Sequence, residues 1–145
     1  MRFALCVSRC AFRVVRFALC ITERFVVEEL SAWQTARRLT NLVYDLPLRK
    51  QFARDFGLKD QIRRAAVSVM SNIAEGFNSR TQGLFIELLG RARASAAEVQ
   101  SQLYVALDQR YITASEFDAA YDCADQASRQ LYRLLQHLDS TRNRP

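Results

Sequence analysis

At 145 residues the chain fits one domain with room for a real core, and Gly 4 with Pro 2 leaves too few breakers for a turn-dense β architecture, so an all-α fold is the expectation. The formal net charge of +6 sits largely ahead of the body: residues 1–24 carry Arg2, Arg9, Arg13, Arg16 and Arg24 against Glu23 alone, and the rest is nearly balanced, so global charge by itself does not argue for a nucleic-acid partner. Cys6, Cys10 and Cys20 fall in the same segment and only Cys123 in the body, which excludes a disulfide framework and favours a reduced, cytoplasmic chain, while Arg9, Arg13 and Arg16 break the one stretch apolar enough to suggest a membrane span.

In chain order, residues 1–24 come first. "RFALCVS" at 2–8 recurs as "RFALCIT" at 16–22, which puts Arg2, Arg9 and Arg16 on one side of a helix. Two readings stand: a basic amphipathic piece for a membrane surface or nucleic acid, or an extension that the folded body does not need. The second is favoured, because one short repeat specifies little fold.

The first helix of the body is expected from about Val26 to Leu46, with Leu30, Trp33, Ala36, Thr40 and Val43 on one face and Pro47 ending it. "PLRKQFARDFG" reads as the longest loop, Phe52 and Phe56 covering one end of the core and Gly57 closing it. A second helix spans about Lys59 to Glu75. Ile62, Ala65, Ala66, Val69, Ile73 and Phe77 point inward, a weaker apolar strip of Val67, Met70 and Ala74 widens that face, and Gly76 takes the left-handed conformation that stops a helix.

The third helix starts near Thr81 and extends to about Arg110 on a core stripe that includes Phe85, Leu88, Leu89, Ala92, Ala96, Val99 and Leu103. Its back carries only small residues, Gly90, Ala94, Ala97 and Ser101. Small residues let another helix approach, and a mid-helix glycine costs about 1 kcal/mol unless packing offsets it. Together with Val67, Met70 and Ala74 they are candidate subunit contacts, against the alternative that alanine is simply a good surface helix former. The fourth helix opens on a capping box, Thr113 with Glu116, and a staple of Ile112 with Phe117, and "STRNRP" at 140–145 reads as a frayed tail. The expected architecture is an antiparallel up-down-up-down four-helix bundle over 25–139 with an extra N-terminal segment.

Chemistry has little to work with. A di-metal carboxylate bundle needs two Glu-x-x-His pairs, but the single histidine, His137, is preceded three residues earlier by Leu134. Cys123 has no metal-ligand neighbours, no Gly-rich phosphate loop occurs, and nothing orients His137 as a base, so neither a metal, a cofactor nor an enzymatic activity is expected. Arg63, Arg64, Arg80, Arg91 and Arg93 are candidates for phosphate contact, with a solvated charged face as the equal alternative; Glu87 stands one turn before Arg91 and weakens the patch.

"SNIAEGF", residues 71–77, places Asn72 and Glu75 beside the core stripe, on the flank that also carries Ser68. Folding the hairpin over brings Glu75 opposite the start of the third helix, where a carboxylate is favoured by about 0.3–1 kcal/mol. It also brings Glu98 opposite Arg63 and Arg64, with Ser95 close by. The expectation is a structural joint: Asn72, Glu75, Gly76, Ser95 and Glu98 fix the pairing of the two helices through contacts that a slipped register cannot satisfy.

The blocks "QIRRAAVSVMSNIAEGF" and "FIELLGRARASAAEVQSQLYVALDQRYI", with Ser95, Glu98, Gln102 and Leu103 in the second, resemble the bacterial four-helix-bundle proteins encoded in 23S rRNA intervening sequences, over about residues 25–138. Lys59 stands where that family commonly has a threonine cap, Leu84 where an acidic residue is common, and Ala94 where glycine is common. The resemblance implies a small homo-oligomer, a pentamer of bundles, without catalytic activity. The accessory variability determinant of diversity-generating retroelements is similar, and implies a reverse-transcriptase-like partner or RNA held on a basic surface, for which Arg63, Arg64, Arg91 and Arg93 are the nominees. A purely structural or protein-interaction module is the second reading.

Overall fold

The computed structural model describes residues 26–46 and 50–142. The basic segment at 1–24, Pro47 and residues 143–145 lie outside them. A 3-10 turn, Val27–Glu29, leads into α1 (Ser31–Asp45), a short α2 (Lys50–Arg54), then α3 (Phe56–Phe77), α4 (Gln82–Asp108) and α5 (Ala114–Arg142). No strand occurs among the described residues, and the fold is an all-α bundle.

The core has two ends, and they give the direction of each helix. One gathers Val43 from the end of α1, Ile62 from the start of α3, Leu103 from the end of α4 and Ala124 from the start of α5. The other gathers Ala36, Ile73, Leu89 and Leu138, from the opposite ends of the same four helices. Successive long helices therefore run antiparallel, and each packs on two neighbours, α1 on α3 and α5, α4 on α3 and α5.

Having two neighbours corrects the face expected for α1. Its buried residues are Ala32, Thr35, Ala36, Leu39 and Val43, whereas Trp33 and Thr40 are half-buried. The stripe is turned by about one residue because the α5 side must be filled as well: Cys123 donates its thiol to the Thr35 carbonyl at 3.6 Å, and Arg38 donates to Gln126 Oε1 at 2.6 Å.

The expected long loop is largely helical. Phe52 on α2 is fully buried and stacks on Tyr111 with ring centroids 5.4 Å apart. Phe56, paired with it in the sequence reading, is instead 71% exposed, because α3 begins there rather than at Lys59. Asp55 is the cap: its Oδ1 accepts from the Leu58 N–H at 3.0 Å and its Oδ2 accepts from Tyr111 OH at 3.3 Å. Gly57 thus sits in the first turn of α3 and closes nothing.

The later boundaries follow their caps. Thr81 Oγ1 accepts from the Leu84 N–H at 3.2 Å. Thr113 and Glu116 form the reciprocal box, Glu116 Oε2 accepting from the Thr113 N–H at 2.7 Å and Thr113 Oγ1 from the Glu116 N–H at 3.3 Å. Between α4 and α5 the chain turns at Arg110, whose φ of 57° is left-handed without a glycine. Tyr111 N–H to Ala106 O at 2.8 Å and Arg110 N–H to Leu107 O at 2.9 Å complete a Schellman closure. At the far end α5 continues as helix through Arg142, into what the sequence reads as the start of a frayed tail.

Candidate functional site

The seam between α3 and α4 carries the polar set singled out in "SNIAEGF". Ser68 Oγ and Ser95 Oγ lie 3.0 Å apart across the helices, and either hydroxyl can donate. Asn72 Nδ2 donates to Ser68 Oγ at 3.0 Å and to the Ser68 carbonyl at 2.8 Å, one turn back on its own helix. All three residues are half-buried. A one-residue slip of α3 would move Ser68 about 1.5 Å along the axis and about 100° around it, which breaks the bridge.

Gly76 belongs to the same seam but not as a helix stop. It lies inside α3 with no positive φ, and the helix ends one residue later at Phe77. A Cβ there would come within 2.7 Å of Phe85 Cδ2 and 3.2 Å of Leu88 Cβ, so the glycine leaves room for α4 to approach α3's backbone closely. The left-handed conformation expected from sequence is replaced by close approach.

The acidic members do otherwise. Glu75 is exposed and has no hydrogen bond or ion pair among the described residues. Glu98 accepts from Gln102 Nε2 at 3.0 Å on its own helix, not from Arg63 or Arg64. Gln102, which sequence reading left out of the core stripe, is buried, and its Oε1 has no partner among the described residues. The joint is therefore neutral: two serines, an asparagine and a glycine.

The four nominated arginines do not form one patch. Arg64 pairs with Asp60 at 2.8 Å and Arg91 with Glu87 at 2.6 Å, each within its own helix. Arg63 turns to α1, its guanidinium 4.5 Å from the Tyr44 ring centroid and its terminal nitrogen 3.4 Å from the Tyr44 carbonyl. Arg93 turns to α5, 4.8 Å from the Tyr132 ring centroid, with Nε donating to Ser128 Oγ at 3.4 Å. These are different seams of the bundle. Tyr44 and Tyr132 carried no signal in the sequence, because each meets its arginine only across two packed helices.

The two strips of candidate subunit contacts also part company. Gly90, Ala94, Ala97 and Ser101 are all exposed on the back of α4, and among the described residues nothing lies within 4 Å of a Cβ at Gly90. Met70 is two residues from Ser68, about 200° around the helix. Val67, Met70 and Ala74 follow Arg63 at steps of three and four residues, and Arg63 stands over Tyr44, so the strip lies on the α1 side of α3.

Elsewhere, Tyr104, Phe117 and Tyr121 form a ring cluster at the α4–α5 seam, with centroids 4.9 to 5.7 Å apart. The Tyr104 phenol, then burial, push the Tyr121 phenol up; burial, then Asp55, do the same to Tyr111. Among the described residues no group of three His, Cys, Asp or Glu side chains is placed to hold a metal ion. None of their helices is long and apolar enough to cross a membrane.

No curated protein matches the chain. A crystal structure of a protein of unknown function from the S23 ribosomal protein family of Bacteroides thetaiotaomicron VPI-5482 superposes with a TM-score of 0.68 at 20% identity, covering 72% of this chain and 95% of that one. At that identity the likeness is one of fold. The family model described as 23S rRNA-intervening sequence protein matches residues 28–133, from the first turn of the bundle well into α5. That span includes the Ser68–Asn72–Ser95 joint and the Gly76 crossing, and the chain belongs to the 23S rRNA-intervening sequence protein family.

Proposed function

We propose that this protein is a non-enzymatic, cytoplasmic bundle that assembles with copies of itself and binds RNA or a protein that accompanies RNA. The observation that carries the reading is how the polar and bare surfaces divide. Ser68, Asn72 and Ser95 hydrogen-bond one another inside the bundle, and none of the three is an acid or base that could activate a neighbouring hydroxyl, which suits a structural joint. Among the described residues nothing covers the back of α4, and its Gly90 has no packing there to offset a cost of about 1 kcal/mol. A second helix laid along Gly90, Ala94, Ala97 and Ser101 supplies that packing. The family's description, with its 23S rRNA intervening sequence, favours RNA over other partners. A pentamer is the assembly implied by the sequence resemblance.

Light scattering on the purified chain tests the assembly. The wild type is expected at a multiple of the 16.7 kDa chain mass, and Ala94→Glu with Ala97→Glu is expected to reduce it to one chain while leaving helical circular dichroism intact. A wild type that runs as a single chain would remove the assembly from the reading. RNA that copurifies at low salt supports the binding half, and its absence leaves a protein-interaction module.

A further inference from the structure

The positive charge left uncompensated in the described body is not where the four-arginine patch was expected. Residues 33–44 of α1 and 63–74 of α3 contain Arg37, Arg38, Arg63 and Arg64 and no Asp or Glu. Asp45 on α1 and Asp60 and Glu75 on α3 flank these stretches, as Glu87 and Glu98 flank Arg91 and Arg93 on α4, where Glu87 pairs with Arg91. Of the four on α1 and α3, Arg64 is paired with Asp60 and Arg38 is turned to Gln126 on α5. Arg37 and Arg63 remain.

Both belong to the α1–α3 seam. Thr40 Oγ1 donates to the Ala66 carbonyl at 3.2 Å and Arg63 stands over Tyr44, which sets the antiparallel register. Continued along the seam, that register puts Val67 beside Thr40, Arg37 beside Met70, and Trp33 beside Ala74. Arg37 is exposed and lies about 10 Å along the axis from the Arg63–Tyr44 pair, at 1.5 Å per residue. Tyr44 is 45% exposed, Val67 39%, and Trp33 half-buried. The seam thus alternates cation and ring over a strip with no carboxylate between its ends.

That pattern suits one kind of ligand. A guanidinium already stacked on a ring keeps its planar orientation, presents N–H donors to a phosphate, and offers its outer face to a base. Arg63 is held against Tyr44 by the ring contact and by its terminal nitrogen on the Tyr44 carbonyl, and its Nε has no acceptor among the described residues. Arg37 one step along can meet a second phosphate, and the indole and phenol rings can take stacked bases irrespective of sequence. The geometry points to the α1–α3 seam, through Trp33, Arg37, Tyr44 and Arg63, as the surface that binds a short single strand of RNA; the inference rests on the RNA-binding reading above and names its site. The strip of Val67 and Met70 is then the apolar floor of that surface.

Trp33 is the single tryptophan of the chain and reports on this seam. A fluorescein-labelled 12-nucleotide oligouridylate is titrated into the full chain from about 20 to 200 mM salt, anisotropy measuring affinity, with Trp33 emission followed against unlabelled oligomer. Expected are quenching of Trp33 and a loss of about tenfold in affinity in the Arg37→Gln, Arg63→Gln double variant, whose log–log salt slope falls by about 1.4. Arg91→Gln, with its Glu87 partner, should change affinity less than about twofold. Binding that is unaffected by the double variant but lost in Arg91→Gln, Arg93→Gln would overturn the seam and leave RNA binding standing. No binding at the lowest salt would overturn both. A lower native mass in the Arg37→Gln, Arg63→Gln variant, with RNA affinity unchanged, would make the seam a contact between copies and overturn the inference.

Discussion

Gly76→Leu is expected to destabilise the bundle by about 3 kcal/mol, because the position has no room for side-chain atoms. Even a methyl at Gly76 meets Phe85 Cδ2 at 2.7 Å and Leu88 Cβ at 3.2 Å, and the second is fixed to α4's backbone. The helices can separate only by breaking the Ser68–Ser95 bridge two turns away on the same seam. Gly76→Ala should lose less, since its gain in helix propensity, about 1 kcal/mol, offsets part of the clash. Denaturant melts of the two variants provide the comparison. If Gly76 served as a left-handed stop, alanine and leucine would be similarly costly, and equal losses would refute the packing reading. Glu75→Gln, one residue away, should leave the midpoint unchanged, since the carboxylate is exposed and has no partner among the described residues.

Phe52→Ala should cost about 3–5 kcal/mol, and Phe56→Ala, four residues on, no more than about 0.5. Phe52 is 0% exposed and stacked on Tyr111, so its removal opens a cavity beneath the end of the bundle and strips the Tyr111 ring of its neighbour. Phe56 is 71% exposed, with Lys59 Nζ 4.4 Å from its ring centroid. At this chain length a loss of 3–5 kcal/mol lowers the melting temperature by roughly 10 °C or more. Similar melting of the two variants would mean that α2 does not plug the core.

Much of the architecture was legible because long apolar periodicity and side-chain caps are local signals. The Thr113–Glu116 box marks the start of α5, and Thr81 marks α4. What was missed depended on neighbours. Lys50–Arg54 is too short to show a period, so α2 read as loop, and with Gly57 taken as its end the Asp55 cap passed unnoticed. A glycine near a helix end fits a left-handed stop and a close crossing equally well until the facing residue is known; at Gly76 that residue is Phe85.

The polar joint was half legible for the same reason. Ser68 and Asn72 share a flank by spacing alone, and the hairpin brings Ser95 to them. Whether a charged side chain joins in is decided by competing partners that spacing does not rank. Arg64 found Asp60 within its own helix, Arg63 found the Tyr44 ring, and Glu98 was left with Gln102. The same competition dispersed the expected arginine patch and left Arg37, never nominated, exposed on the α1–α3 seam.

The claim that the Ser68–Ser95 pair aligns α3 with α4, and does nothing else, can be put to a double-mutant cycle on Ser68→Ala and Ser95→Ala, followed by denaturant unfolding. Two hydroxyls 3.0 Å apart should couple by about 0.5–1.5 kcal/mol, with each single variant leaving its partner half-buried and short of one bond. A coupling indistinguishable from zero would mean that the helices keep their register without the bridge, and the joint would lose its structural role.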